Sequence, residues 1–112
     1  MGRILSQVAG GILFAAIAIP VSAQNVDAAA AEALAKKSGC LKCHAVDRKK
    51  DGPSFKETAG KYKGKPDGEE KIVAHLTTNP KIKVDGNEEL HDNLKTKDEA
   101  AVRNVARWIL SR

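Results

Sequence analysis

The stretch Cys40-Leu-Lys-Cys43-His44 places two thiols and an imidazole within one short run. It matches C-x-x-C-H, the attachment signature of c-type haem. The spacing has a direct reason. Thiols so placed reach the two vinyl groups on neighbouring edges of one porphyrin, and the next residue then lies beneath the iron. Haem iron takes an imidazole as its proximal ligand. Cys40 and Cys43 are therefore the expected covalent anchors of one haem c, and His44 the expected proximal ligand.

Three other readings of the same residues stand beside this one. A thioredoxin-like redox pair belongs near a βαβ pattern, and no strand pattern is evident here. Zinc needs four ligands, and Cys-Cys-His packed this tightly is not the usual zinc spacing. A structural disulfide closing so small a loop would add little stability.

The elements that must position these residues read as helices. The first is Ala-rich and runs from about Asp27 to Lys37, with Asp27 as N-cap and Gly39 ending it. The turn Asp51-Gly-Pro53 redirects the chain into a short helix over Ser54 to Lys61. A third helix starts at the N-cap Asp67, with Glu70 three residues on and Ile72, Val73 and Leu76 on one face. The fourth carries the clearest signal. Thr96-Lys-Asp-Glu99 reads as a capping box, and Val102, Val105, Ala106, Ile109 and Leu110 follow at helical spacing. Arg107 and Arg112 sit where positive charge suits the helix dipole. Asn79 to Lys95 is left as a long connection, and long connections in small domains tend to be functional.

The N-terminus reads as a secretory signal. A basic start at Arg3 precedes the uncharged, mostly apolar run Val8 to Ile19, then Pro20 and the small residues Val21-Ser22-Ala23. Cleavage is expected after Ala23, and the apolar run is short for a membrane-spanning helix, which leaves an uncleaved anchor as the lesser alternative. Residues 1–23 are thus expected to be signal and residues 24–112 one domain. The remaining 89 residues make a small core that calls for a staple such as a cofactor. Only Phe55, Tyr62 and Trp108 supply aromatics there. Loss of Arg3 takes the net charge from +5 to +4, which suits docking to an acidic protein surface. No basic arm or stacking ribbon points to nucleic acid.

With these residues in view the chain resembles the short bacterial class I cytochromes c. The resemblance runs from about Ala28 to Arg112 and rests on three pieces. They are Lys37-Ser-Gly-Cys-Leu-Lys-Cys-His-Ala-Val-Asp47, Gly52-Pro-Ser-Phe-Lys-Glu-Thr-Ala-Gly-Lys-Tyr62 and Trp108-Ile-Leu-Ser-Arg112. It implies an all-α fold of four to five helices wrapped around one covalently attached haem. It implies that the first and last helices cross near Gly39 and Trp108, with Gly39 small because a helix passes close by. It also implies that the Pro53 carbonyl accepts a hydrogen bond from His44, a contact that fixes the ring and raises its basicity. Phe55 and Tyr62 become haem-pocket or core residues, and His75 a possible propionate partner or surface residue.

The resemblance also exposes a gap. The family's usual sixth ligand is a methionine before the last helix, and Met1 is the one methionine in this sequence. His91 lies seventeen residues before Trp108, close to the spacing at which the family places its methionine. A neutral imidazole is a strong iron ligand. Bis-histidine ligation by His44 and His91 is expected, with a potential below that of ordinary family members. The alternatives are a solvated His91 with the sixth position open, or filled by water, Lys83, Lys95, Asn87 or Asn93.

The expected function is a monomeric, periplasmic electron carrier with no stable membrane insertion after signal removal. Lys36, Lys37, Lys42, Lys49 and Lys50 would ring the haem edge and steer acidic redox partners. The alternative is a haem protein that binds or senses a small gas through a labile or absent sixth ligand. A peroxidase-like enzyme ranks last, because so short a chain offers little substrate pocket.

Overall fold

A computed structural model describes residue 2, residues 10–16 and residues 25–112. The expected cleavage after Ala23 and most of the expected signal fall outside the described residues. No helix among the described residues is long and apolar enough to cross a membrane.

Among the described residues four α-helices carry the fold: α1 (Ala28–Lys37), α2 (Phe55–Tyr62), α3 (Gly68–Thr77) and α4 (Glu99–Leu110). A short 3-10 turn at Cys40–Lys42 follows α1. The last helix is the hub, packing against α1, α2 and α3. Of its expected apolar stripe Val102, Val105, Ala106 and Ile109 are buried, joined by Trp108, while Leu110 is only partly buried. On α1 the buried residues are Ala31 and Ala35, and side chains this small let two helices approach closely. The approach is pinned at its start by Asn104. Its side chain accepts from the Asp27 N–H at 2.9 Å and donates to the Asp27 carbonyl at 2.8 Å.

Several local expectations are corrected. The capping box lies not at Thr96 but at the start of α2. There the Glu57 N–H donates to Ser54 Oγ at 3.0 Å, and the Ser54 N–H donates to Glu57 Oε2 at 2.7 Å. The α4 cap is Asp98, whose Oδ1 accepts from the Ala100 N–H, while Thr96 Oγ1 accepts from the Asp98 N–H. Glu99 is drawn instead to Arg103 at 3.2 Å. Asp67 precedes α3 without a side-chain capping bond and pairs with Lys71. Gly39 is not crowded by a passing helix. A Cβ there would meet only the Lys42 side chain at ordinary contact distance, and its φ of +78° is what favours glycine.

The larger correction concerns the connection from Asn79 to Lys95. Much of it is an antiparallel hairpin of β1 (Lys81–Val84) and β2 (Asn87–Leu90), with Lys81 opposite Leu90 and Val84 opposite Asn87. Asp85 and Gly86 both have positive φ, +49° and +81°. This is the type I′ turn that an Asp-Gly pair favours, since its twist matches that of the strands. The hairpin is bound by its backbone ladder and a Lys81–Glu88 ion pair at 3.0 Å, not by a buried face.

Candidate haem site

The 3-10 turn brings Cys40 and His44 to one side of a cavity of about 680 Å³, with Cys43 between them in sequence but not in its lining. The two cysteines are not bonded to each other. Cys43 is exposed, while Cys40 is partly buried, and that burial raises its thiol pKa. His44 lines the cavity and its orientation is set from behind. The Nδ1–H of His44 donates to the Pro53 carbonyl at 2.7 Å. A carbonyl only accepts, so this bond assigns the proton to Nδ1 and leaves the Nε2 lone pair free for a metal. Gly52 lies against the same ring, and a Cβ there would collide with His44 Cε1. Phe55 stacks beside His44 at 5.6 Å and meets Trp108 edge-on at 5.3 Å, tying the proximal side to α4. Phe55 is both core and pocket wall, and Tyr62 lines the same cavity.

Opposite His44 stands His91, which directly follows β2. The two ring centres are 6.1 Å apart. Two imidazoles bound to one metal from opposite sides, through bonds of about 2 Å each, have ring centres roughly 6 Å apart. His91 Nδ1 is buried. Burial lowers the His91 pKa and the nearby His44 adds to the effect, against an opposing backbone hydrogen bond and charge at Asp92, so the neutral form is favoured.

The backbone of His91 is held firmly. Its N–H donates to the Pro80 carbonyl at 2.8 Å, and its carbonyl accepts from Asn79 Nδ2 at 3.0 Å. Asn93 completes a clasp across the base of the hairpin. Its Oδ1 accepts from the Asn79 N–H at 2.8 Å, and its Nδ2 donates to the Thr77 carbonyl at 3.0 Å and to Asn79 Oδ1 at 3.1 Å. Asn79 takes a φ of +45°, a conformation asparagine tolerates better than most residues. Sequence reasoning missed this pair as positioning groups and offered Asn93 as a possible iron ligand, yet its amide is spent on the clasp. Two asparagines bracketing an Asp-Gly hairpin were the available signal.

His75, read as a possible propionate partner or surface residue, is exposed and also lines the cavity. From α3 it lines the cavity with its ring centre 4.2 Å from that of His91, packed on the candidate ligand. Burial, with His91 and His44 adding to it, lowers its pKa to about 4, which leaves it neutral near pH 7. Of the five lysines near the motif, Lys36 pairs with Glu32, Lys50 donates to the Leu41 carbonyl at 2.8 Å, and Lys49 lines the cavity.

The residues present fit a haem. Cys40, a wall of Phe55, Tyr62, Ile72 and Leu76, and two imidazoles with ring centres 6.1 Å apart meet at one cavity, beside the exposed Cys43 of the C-x-x-C-H run. The comparisons agree. The Cytochrome c family model matches residues 28–112. Cytochrome c-551 of Pseudomonas aeruginosa is 37% identical over 89 residues, covering 80% of this chain and 83% of that protein. Cytochrome c-552 of Hydrogenobacter thermophilus is 34% identical, covering 71% and 79%. Among solved structures, the class 1 cytochrome MtoD of Sideroxydans lithotrophicus superposes with a TM-score of 0.74 at 48% identity, over 78% of this chain and 97% of that one. Nitrosomonas europaea cytochrome c552 does so at 0.56 and 28%, over 71% and 96%. The motif, the helical frame and these likenesses together establish that the chain belongs to the cytochrome c family, as a small class I member.

Proposed function

We propose that His44 and His91 hold the haem iron between them, and that the protein carries electrons at a lower potential than methionine-ligated relatives. We further propose that it works as a monomer in the periplasm after loss of residues 1–23, with acidic redox partners. As a cytochrome c it carries one covalently attached haem c and is an electron carrier, not an enzyme.

The observation that carries the ligation reading is the 6.1 Å separation of the two imidazoles across the cavity. When bound, the haem supplies one reversible electron at its iron. The chain's part is to hold that centre unchanged between redox states. The Pro53 carbonyl fixes His44, and the Asn79–Asn93 clasp fixes the backbone at His91. Imidazole donates more strongly than a thioether and favours ferric iron, hence the lower potential.

A spectroelectrochemical titration beside a methionine-ligated family member tests this function. A midpoint below that of the relative is expected. An equal or higher midpoint would overturn the low-potential reading.

A further inference from the structure

Three lysines line the cavity, Lys49, Lys61 and Lys71, and their surroundings differ. Lys71 is bound to Asp67, one helical turn earlier, at 3.3 Å. Lys49 stands two positions from Asp51, an acid on the same wall. Lys61, in the last turn of α2, takes part in no ion pair among the described residues.

A partner for Lys61 is present in the sequence but is used elsewhere. Glu57 lies four positions before it, the order that favours a pair on a helix surface. Glu57 lines the cavity too, yet its Oε2 accepts from the Ser54 N–H at 2.7 Å and closes the capping box of α2. The Lys61 ammonium lies instead over the ring of Tyr62, 5.2 Å from its centre, and Tyr62 lines the same cavity. A cation held on an aromatic face keeps its charge and remains able to meet an anion. Haem brings anions of the right kind. Its propionate carboxylates leave the porphyrin from the edge opposite the vinyl groups that the cysteines take. A carboxylate drawn from water against apolar walls is costly unless a cation answers it.

We propose that Lys61 is a haem-binding residue, its ammonium paired with a propionate carboxylate and steadied by the Tyr62 ring. The inference rests on the bound haem and not on which residue supplies the sixth ligand. Its consequence reaches the potential. A cation at the propionate keeps that carboxylate ionised and disfavours the extra positive charge of ferric iron.

Three substitutions in the holoprotein test it, read as midpoint potential against pH. Lys61→Met removes the charge and keeps an apolar stem over Tyr62. It is expected to lower the midpoint above neutral pH. The unpaired carboxyl then gains its proton at a higher pH, so the midpoint of this variant should fall more steeply than that of wild type as pH rises through about 5 to 7. Lys61→Arg keeps the charge and should follow wild type. Lys71→Met removes a cation from the same wall that Asp67 already compensates, and should leave the profile nearly unchanged. A Lys61→Met profile parallel to wild type would overturn the pairing. So would a Lys71→Met profile that matches it, or a Lys61→Arg protein that behaves as the Met variant does.

Discussion

His44 and His91 face one another across the cavity with ring centres 6.1 Å apart, although they lie forty-seven positions apart in the chain and on unrelated elements. One follows a 3-10 turn and the other a β-hairpin. With both imidazoles on the iron, as we propose, no site would remain for a substrate.

Carbon monoxide added to the reduced protein therefore separates a carrier from a gas binder. We expect little or slow binding, read from the Soret band, because His91 must first leave. Fast and complete binding would favour a sensor.

Gly52→Ala should damage the proximal side. The new Cβ would run into the His44 ring, which the Pro53 carbonyl holds in place. Overpacking of this kind costs about 1–3 kcal/mol. A lower yield of covalently attached haem and a fraction of high-spin ferric protein are the expected signs.

Asn93→Ala should loosen the distal side without touching any candidate ligand atom. It removes the bonds to the Asn79 N–H and side chain and to the Thr77 carbonyl. We expect a loss of about 1–3 kcal/mol in denaturant unfolding. Faster hydrogen exchange at the His91 N–H and faster cyanide binding should accompany it. Unchanged exchange at His91 would mean that the hairpin base is held by other contacts.

Between α3 and α4, Glu69 binds both Arg103, at 3.2 Å, and Arg107, at 3.0 Å. The hydrogen bond from Arg107 lowers its pKa below the ordinary carboxyl value of 4.5, with Arg103 adding to the effect. The unfolded chain then takes up the proton first as pH falls. The cluster's contribution is full above about pH 4.5 and is lost as pH drops through the folded value. Glu69→Gln should cost about 1 kcal/mol at neutral pH, an amount typical of a partly exposed pair. The gap to wild type should close in acid, as measured by urea unfolding across pH.

Much of the frame was legible because its signals are local. Val102, Val105, Ala106 and Ile109 repeat at helical spacing, and Asp27 precedes an alanine-rich run, so α4 and α1 follow from periodicity and capping alone. The cysteines and His44 were legible because covalent attachment demands adjacency in sequence. The hairpin was missed because Asn87 to Leu90 is exposed throughout, which leaves no alternation of apolar and polar residues to read. Asp85-Gly86 was the remaining sign. The contact of His75 with His91 was beyond reach for a different reason. It depends on how α3 and the hairpin meet in space, which no spacing within either segment encodes.

The most direct test of the central claim is low-temperature magnetic resonance of the ferric holoprotein, wild type beside His91→Ala made in a His75→Phe background. The background keeps the neighbouring imidazole from stepping into the vacated position. The account predicts a low-spin wild type and a high-spin double variant with the haem still attached through Cys40 and Cys43. An unchanged low-spin signal in the double variant would contradict it.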